Sequence, residues 1–115
     1  MIARNDGLAT EVREKMRGGL GAVKVQHWFK PDDFGAKMRL CSRLVLAPGS
    51  SIGEHTHENE DEIYIVLSGT ALLRENGEEI RLNPGDAALT KHGGTHSVLN
   101  DGTEELVTAA IIVQY

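Results

Sequence analysis

Apolar residues in this chain recur at alternate positions in short runs, and turn residues separate the runs every eight to twelve positions. Alternation is the period of half-buried strands, and such frequent punctuation belongs to an all-β sandwich or barrel. Ala22–Phe29 sets Val23, Val25, His27 and Phe29 against Ala22, Lys24, Gln26 and Trp28, and His27 reads as a strand-face residue rather than a ligand. Residues 37–47 place Met38, Leu40, Leu44 and Leu46 on one face, alternating with Arg39, Cys41, Arg43 and Val45. The two arginines read as a solvated edge, with a clamp for a substrate carboxylate as the alternative, and Cys41 reads as packing. Ile63-Tyr64-Ile65-Val66-Leu67 is β-branched and aromatic, hence a strand. Residues 70–75 and 78–82 flank Asn76-Gly77, the strongest short hairpin signal. Ala87–Thr90 reads as a short buried strand, followed by residues 96–99 and Leu106–Gln114.

The pattern weakens before residue 22. Leu8, Val12 and Met16 stand four apart, which suits a short amphipathic helix, while Glu11–Met16 taken as a strand would leave the body to pair with a neighbour. Arg17-Gly18-Gly19-Leu20-Gly21 reads as a flexible connection. Residues 1–21 are therefore an N-terminal arm, and residues 22–115 are the barrel domain.

Composition narrows the function classes. Aromatics make up only 4% of residues, so the core must rest on Val, Ile, Leu and Ala. A formal net charge of −5 opposes nucleic acid or an anionic membrane surface as partner. The single cysteine excludes an internal disulfide and suits a reducing compartment; with no apolar leader or spanning run, the cytoplasm is the expected location.

The candidate chemistry lies in residues 49–69, GSSIGEHTHENEDEIYIVLSG. His55 and His57 are two apart and share one face of an extended strand. A hairpin pairing the 50s with the 60s would bring Glu62 beside them. Two imidazoles and a carboxylate converging on one point outline a transition-metal site. A solvated polar turn is the other reading of the same residues. His96 adds a third imidazole from a distant strand. Gly49-Ser50-Ser51-Ile52-Gly53 matches G-x-S-x-G, but no helix follows and the chain is too short for a serine hydrolase.

Gly49, His55, His57, Glu62 and Gly69 fall at the spacing of the first motif of the cupin superfamily. Gly85, Gly93, His96 and Asn100 fall at that of the second, with Lys91 where the family usually has proline. The chain thus resembles a small single-domain microbial cupin. The resemblance implies a double-stranded β-helix, or jelly-roll barrel. It also implies one divalent transition metal per chain (Mn, Fe, Ni, Co, Cu or Zn) held by His55, His57, Glu62 and His96. Spacing favours Glu62 over Glu60 or Asp61 as the carboxylate ligand. By alternation Tyr64 and Val66 share the face of Glu62, and Val98 that of His96. Lys91 and His92, in the turn before His96, are further pocket candidates. Ser97 faces the opposite way. A ligand set of this kind suits a metal-dependent enzyme acting on a small oxygen-rich molecule (a carboxylate, enediol or sugar) by dioxygenase, decarboxylase or isomerase chemistry. The alternative is a non-catalytic metal- and metabolite-binding module, and a homodimer is the family expectation.

Overall fold

Alternation along the chain becomes ten strands in the computed structural model, which describes residues 1–115. They are β1 (Ala9–Glu14), β2 (Ala22–Phe29), β3 (Met38–Leu46), β4 (Ser51–Thr56) and β5 (Glu60–Ser68), then β6 (Ala71–Glu75), β7 (Glu78–Leu82), β8 (Ala87–Thr90), β9 (Thr95–Leu99) and β10 (Leu106–Gln114). Three single 3-10 turns are the only helical segments, and no helix is long and apolar enough to cross a membrane. One sheet runs β1-β2-β3-β10-β5-β8 and the other β4-β9-β6-β7, with antiparallel pairing throughout. Together they form the double-stranded β-helix that the motifs imply.

Fifteen buried side chains, nearly all aliphatic, make one core between the sheets, among them Val23, Val25, Leu44, Leu46, Ile52, Leu73 and Leu106. Each fully buried Val, Leu or Ile contributes about 1.5–3 kcal/mol of transfer free energy, so a core poor in aromatics suffices. The Asn76-Gly77 hairpin joins β6 to β7 as read, with both residues at positive φ. Gly69 has φ +76°, and a Cβ there would meet the Glu105 carbonyl oxygen at 2.4 Å, so glycine is required at that motif position.

Four expectations change. The 50s do not pair with the 60s: β4 and β5 lie in different sheets, and β4 pairs with β9 instead. Strand β3 is interior, between β2 and β10, so Arg39 and Arg43 are not on an edge. Arg43 bonds Gln26 at 2.7 Å and covers Trp28 at 5.9 Å, and Arg39 belongs to the site described below. Strand β8 is itself an edge, with only Thr90 fully buried. Residues 16–18 form a 3-10 turn packed on β4 rather than a loose connection, and the arm takes its strand alternative, β1 pairing with β2 over six residue pairs.

Candidate metal centre

A β-bulge decides which way the histidines point. Between the pairs Ile52↔Val98 and His55↔His96, β4 spans one residue more than β9. Strict alternation from the fully buried Ile52 would send Glu54 and Thr56 inward and both histidines out. The extra residue reverses the phase, so Ile52 fills the core while His55 and His57 also face inside. His96 lies directly opposite His55 on β9, and Glu62 enters from β5 in the facing sheet. The backbone of His57, just past the strand end, is fixed by its bonds to Gly93 and Gly94.

The four side chains place one donor atom each within 4.8 Å of all the others. Nε2 of His57 lies 2.9 Å from Nε2 of His96, which lies 3.0 Å from Nε2 of His55. Oε1 of Glu62 stands 2.9 Å from the His57 nitrogen and 3.0 Å from that of His96. Yet this oxygen is buried without a hydrogen-bond donor, because neither contact has hydrogen-bond geometry.

The outer nitrogens explain the arrangement. His55 Nδ1 donates to the Gly53 carbonyl at 2.8 Å, an acceptor only. His57 Nδ1 donates to Glu60 at 2.7 Å, and Arg39 clamps that carboxylate from the other side with bonds of 2.8 and 2.7 Å. His96 Nδ1 lies 2.9 Å from the Thr90 hydroxyl, which itself donates to Glu75 at 3.0 Å, so the threonine oxygen accepts the imidazole proton. All three neutral rings therefore carry hydrogen on Nδ1 and present a bare Nε2 to the centre. Lone pairs of three nitrogens and a carboxylate oxygen then meet at contact distance, which is repulsive unless a cation or protons lie among them. Spacings near 3 Å are also the edge of an octahedron whose metal–ligand bonds are about 2.1 Å. The donor set fits a divalent metal.

Titration follows the same geometry. Burial pushes the Glu62 carboxyl up, but the rings of His57 and His96 against it prevail and hold it at about 2. The Glu62 carboxylate raises His57 above the ordinary imidazole value against the opposing effect of burial, and Glu60 adds to the rise. Burial lowers His55 to about 4. A proton drawn to His57 relieves one of the crowded contacts; a divalent cation at the common point relieves all of them.

A cavity of about 350 Å³ opens onto the cluster, lined by His55, His57 and Glu62 and also by Tyr64. The Tyr64 ring stacks on His96 at 4.9 Å and 2°, and burial raises its phenol far enough to keep its proton. Cationic side chains dominate the cavity wall: Arg13, Arg17, Lys30 and Arg39, against Asp32 and Glu62. His27 also lines it, bonded to Ser42 at 2.7 Å and outside the donor cluster. Val66 and Val98 are buried in the core beyond the cavity. Lys91 and His92 are exposed and lie outside the lining, His92 capping the Asn59 amide at 2.8 Å. Asp61 also turns away, bonding the Tyr115 hydroxyl and the His92 amide. Sequence reasoning missed the arginines of the arm; their only signal was three basic residues, Arg13, Lys15 and Arg17, close together in an acidic chain.

Comparison with known proteins agrees with the motif spacing. The cupin domain family model matches residues 42–112. An oxalate-binding protein of Thermotoga maritima is 37% identical over 113 residues, spanning 98% of this chain and 93% of its own. A tetracenomycin polyketide synthase protein of Streptomyces glaucescens is 33% identical over 84 residues, 73% of this chain and 54% of its own. Among solved structures, a protein described as a predicted oxalate decarboxylase from Thermotoga maritima superimposes with a TM-score of 0.96 at 36% identity, covering both chains completely.

Proposed function

The chain belongs to the cupin family, and from that premise we propose that it holds one divalent first-row metal and binds a small dicarboxylate of the oxalate class there. The observation that carries this reading is the convergence of three Nε2 atoms and Glu62 Oε1, all within 4.8 Å and with neighbouring donors about 3 Å apart, with every outer imidazole nitrogen already committed. The bound metal would supply a Lewis acid with net charge +1 after one carboxylate ligand, and an octahedral ion would keep two positions for a chelating ligand. The protein's own part is to orient. Gly53, Glu60 and Thr90 fix the rings, Arg39 neutralises Glu60, and the cationic wall draws a dianion into an otherwise acidic protein. The likeness to proteins named for oxalate supports this ligand class.

A metal-dependent enzyme acting on the same molecule is the second reading. It is favoured by the protonated Tyr64 phenol in the cavity, a group able to deliver the proton that decarboxylation of oxalate to carbon dioxide and formate consumes. The reading also includes a homodimer. β1 is an edge strand with Val12 60% exposed, and exchange of the arm would keep its pairing with β2 while moving it between chains. A monomeric mass in solution would remove that element.

Metal content of protein purified without a chelator or histidine tag, followed by calorimetry with oxalate, tests the main proposal. About one first-row metal per chain is expected, lost in His57→Ala, with oxalate binding only to the loaded protein. Protein that takes up no metal on reconstitution would refute the reading. Formate released from oxalate by loaded protein would promote the enzyme; oxalate recovered intact favours binding alone.

A further inference from the structure

We infer that Arg17, delivered by the N-terminal arm rather than by the barrel, is the residue that reads the carboxylate of the ligand; the inference rests on the dicarboxylate reading above. The cavity wall holds four cationic side chains, but they are not equivalent. Arg13 is matched by Glu11, and Arg39 is committed to Glu60. Arg17 and Lys30 make no ion pair and no side-chain hydrogen bond. Of these two, only Arg17 has a planar fork that matches a carboxylate with two parallel bonds.

Its backbone is held for this purpose. Arg17 has φ +54°, and Lys15 has φ +48°, both in the left-handed region that non-glycine residues seldom adopt. The turn is docked on the bulge of β4 at backbone contact: a Cβ on Gly53 would stand 2.1 Å from the Arg17 carbonyl oxygen, and one on Gly19 would stand 2.2 Å from that of Ser51. Leu20 and Ser51 then exchange bonds, amide to hydroxyl at 2.8 Å and amide to carbonyl at 2.9 Å. Arg17 thus sits against the residue whose carbonyl orients His55, in a strained turn that close packing over-determines. Strain of this kind collects where a side chain must be aimed. A free guanidinium on a docked turn, over a cavity floored by metal-type donors, is an anion clamp.

The test compares Arg17→Gln, Arg17→Gly and Lys30→Gln with the natural protein by calorimetry. Mn(II) is titrated first, then oxalate into the loaded protein, with a thermal melt of each variant. Arg17→Gln should leave Mn(II) affinity within about twofold and weaken oxalate by about ten- to a hundredfold, the range of a lost bidentate charge-assisted contact. Lys30→Gln should cost less than about threefold, as a point charge contributing only to the field. Arg17→Gly should lose oxalate equally while melting no lower than the natural protein, because glycine accepts the left-handed φ; this keeps folding apart from recognition. Natural protein that takes Mn(II) but not oxalate would defeat the ligand class. Oxalate binding by natural protein that survives in Arg17→Gln, or falls as far in Lys30→Gln, would overturn the role of Arg17 alone.

Discussion

The inner face of β5 changes character within a few residues: Glu60 and Glu62 are buried at one end and Val66 at the other, with Tyr64 between them. The opposite wall does the same, from His96 on β9 to Val98. Burial is nearly equal at the two ends of this interior, but its energetics are not. At the apolar end, burial is its own reward through the hydrophobic effect, and nothing else is needed. At the polar end, each buried atom must find a partner. Glu60, the Gly53 carbonyl and Thr90 satisfy the outer imidazole nitrogens, while the inner donors face only one another. One end is a finished core. The other is finished only by what enters it.

Two substitutions put this contrast to the largest test. Leu106→Ala, at a position with no exposure, should cost about 2–5 kcal/mol in urea denaturation, with metal stoichiometry unchanged in the folded fraction. Glu62→Leu removes a buried carboxylate whose Oε1 has no hydrogen-bond donor, and should cost metal-free stability less than Leu106→Ala does. The second variant should instead lose the gain from added metal, about 2.7 kcal/mol at a hundredfold excess over Kd. If Glu62→Leu were as destabilising without metal as Leu106→Ala, the polar end would be a structural core after all.

Legibility in the sequence followed the range of the interactions. The Asn76-Gly77 hairpin was readable because a two-residue turn fixes its own register. Strand bounds at 22–29, 78–82, 87–90 and 106–114 coincide with the alternation for the same local reason. Strand partners were not readable: a period of two says which residues share a face but not which sheet lies alongside, so the alternation points β4 to its sequence neighbour although it pairs with β9. The four donors came from motif spacing, whereas their inward direction depends on a bulge that the alternation hides. Glu60, the rival carboxylate in the sequence, lies outside the donor cluster and accepts from His57 Nδ1. The arm had no strong period, and its docking depends on glycine contacts with β4 that only the closed fold creates.

Glu60 lies at the boundary between the two kinds of burial, and it gives the smallest and most specific prediction. Arg39 first, then His57, holds its carboxyl at about 2 against burial, below its unfolded value near 4.5. A depressed carboxyl stabilises the fold above the unfolded value, and that contribution is lost as pH falls through the folded one. Stability of the metal-free natural protein should therefore decline between about pH 4.5 and 2 by more than that of Glu60→Gln. At pH 7 the variant should cost about 1–3 kcal/mol, since it uncouples a buried charge-assisted bond and frees Arg39, which is 39% exposed and can be rehydrated. Denaturant midpoints measured across pH on both proteins decide it. Parallel curves would mean that Arg39 and Glu60 merely share a location, and that His57 is oriented by the cavity's shape and not by the carboxylate beside it.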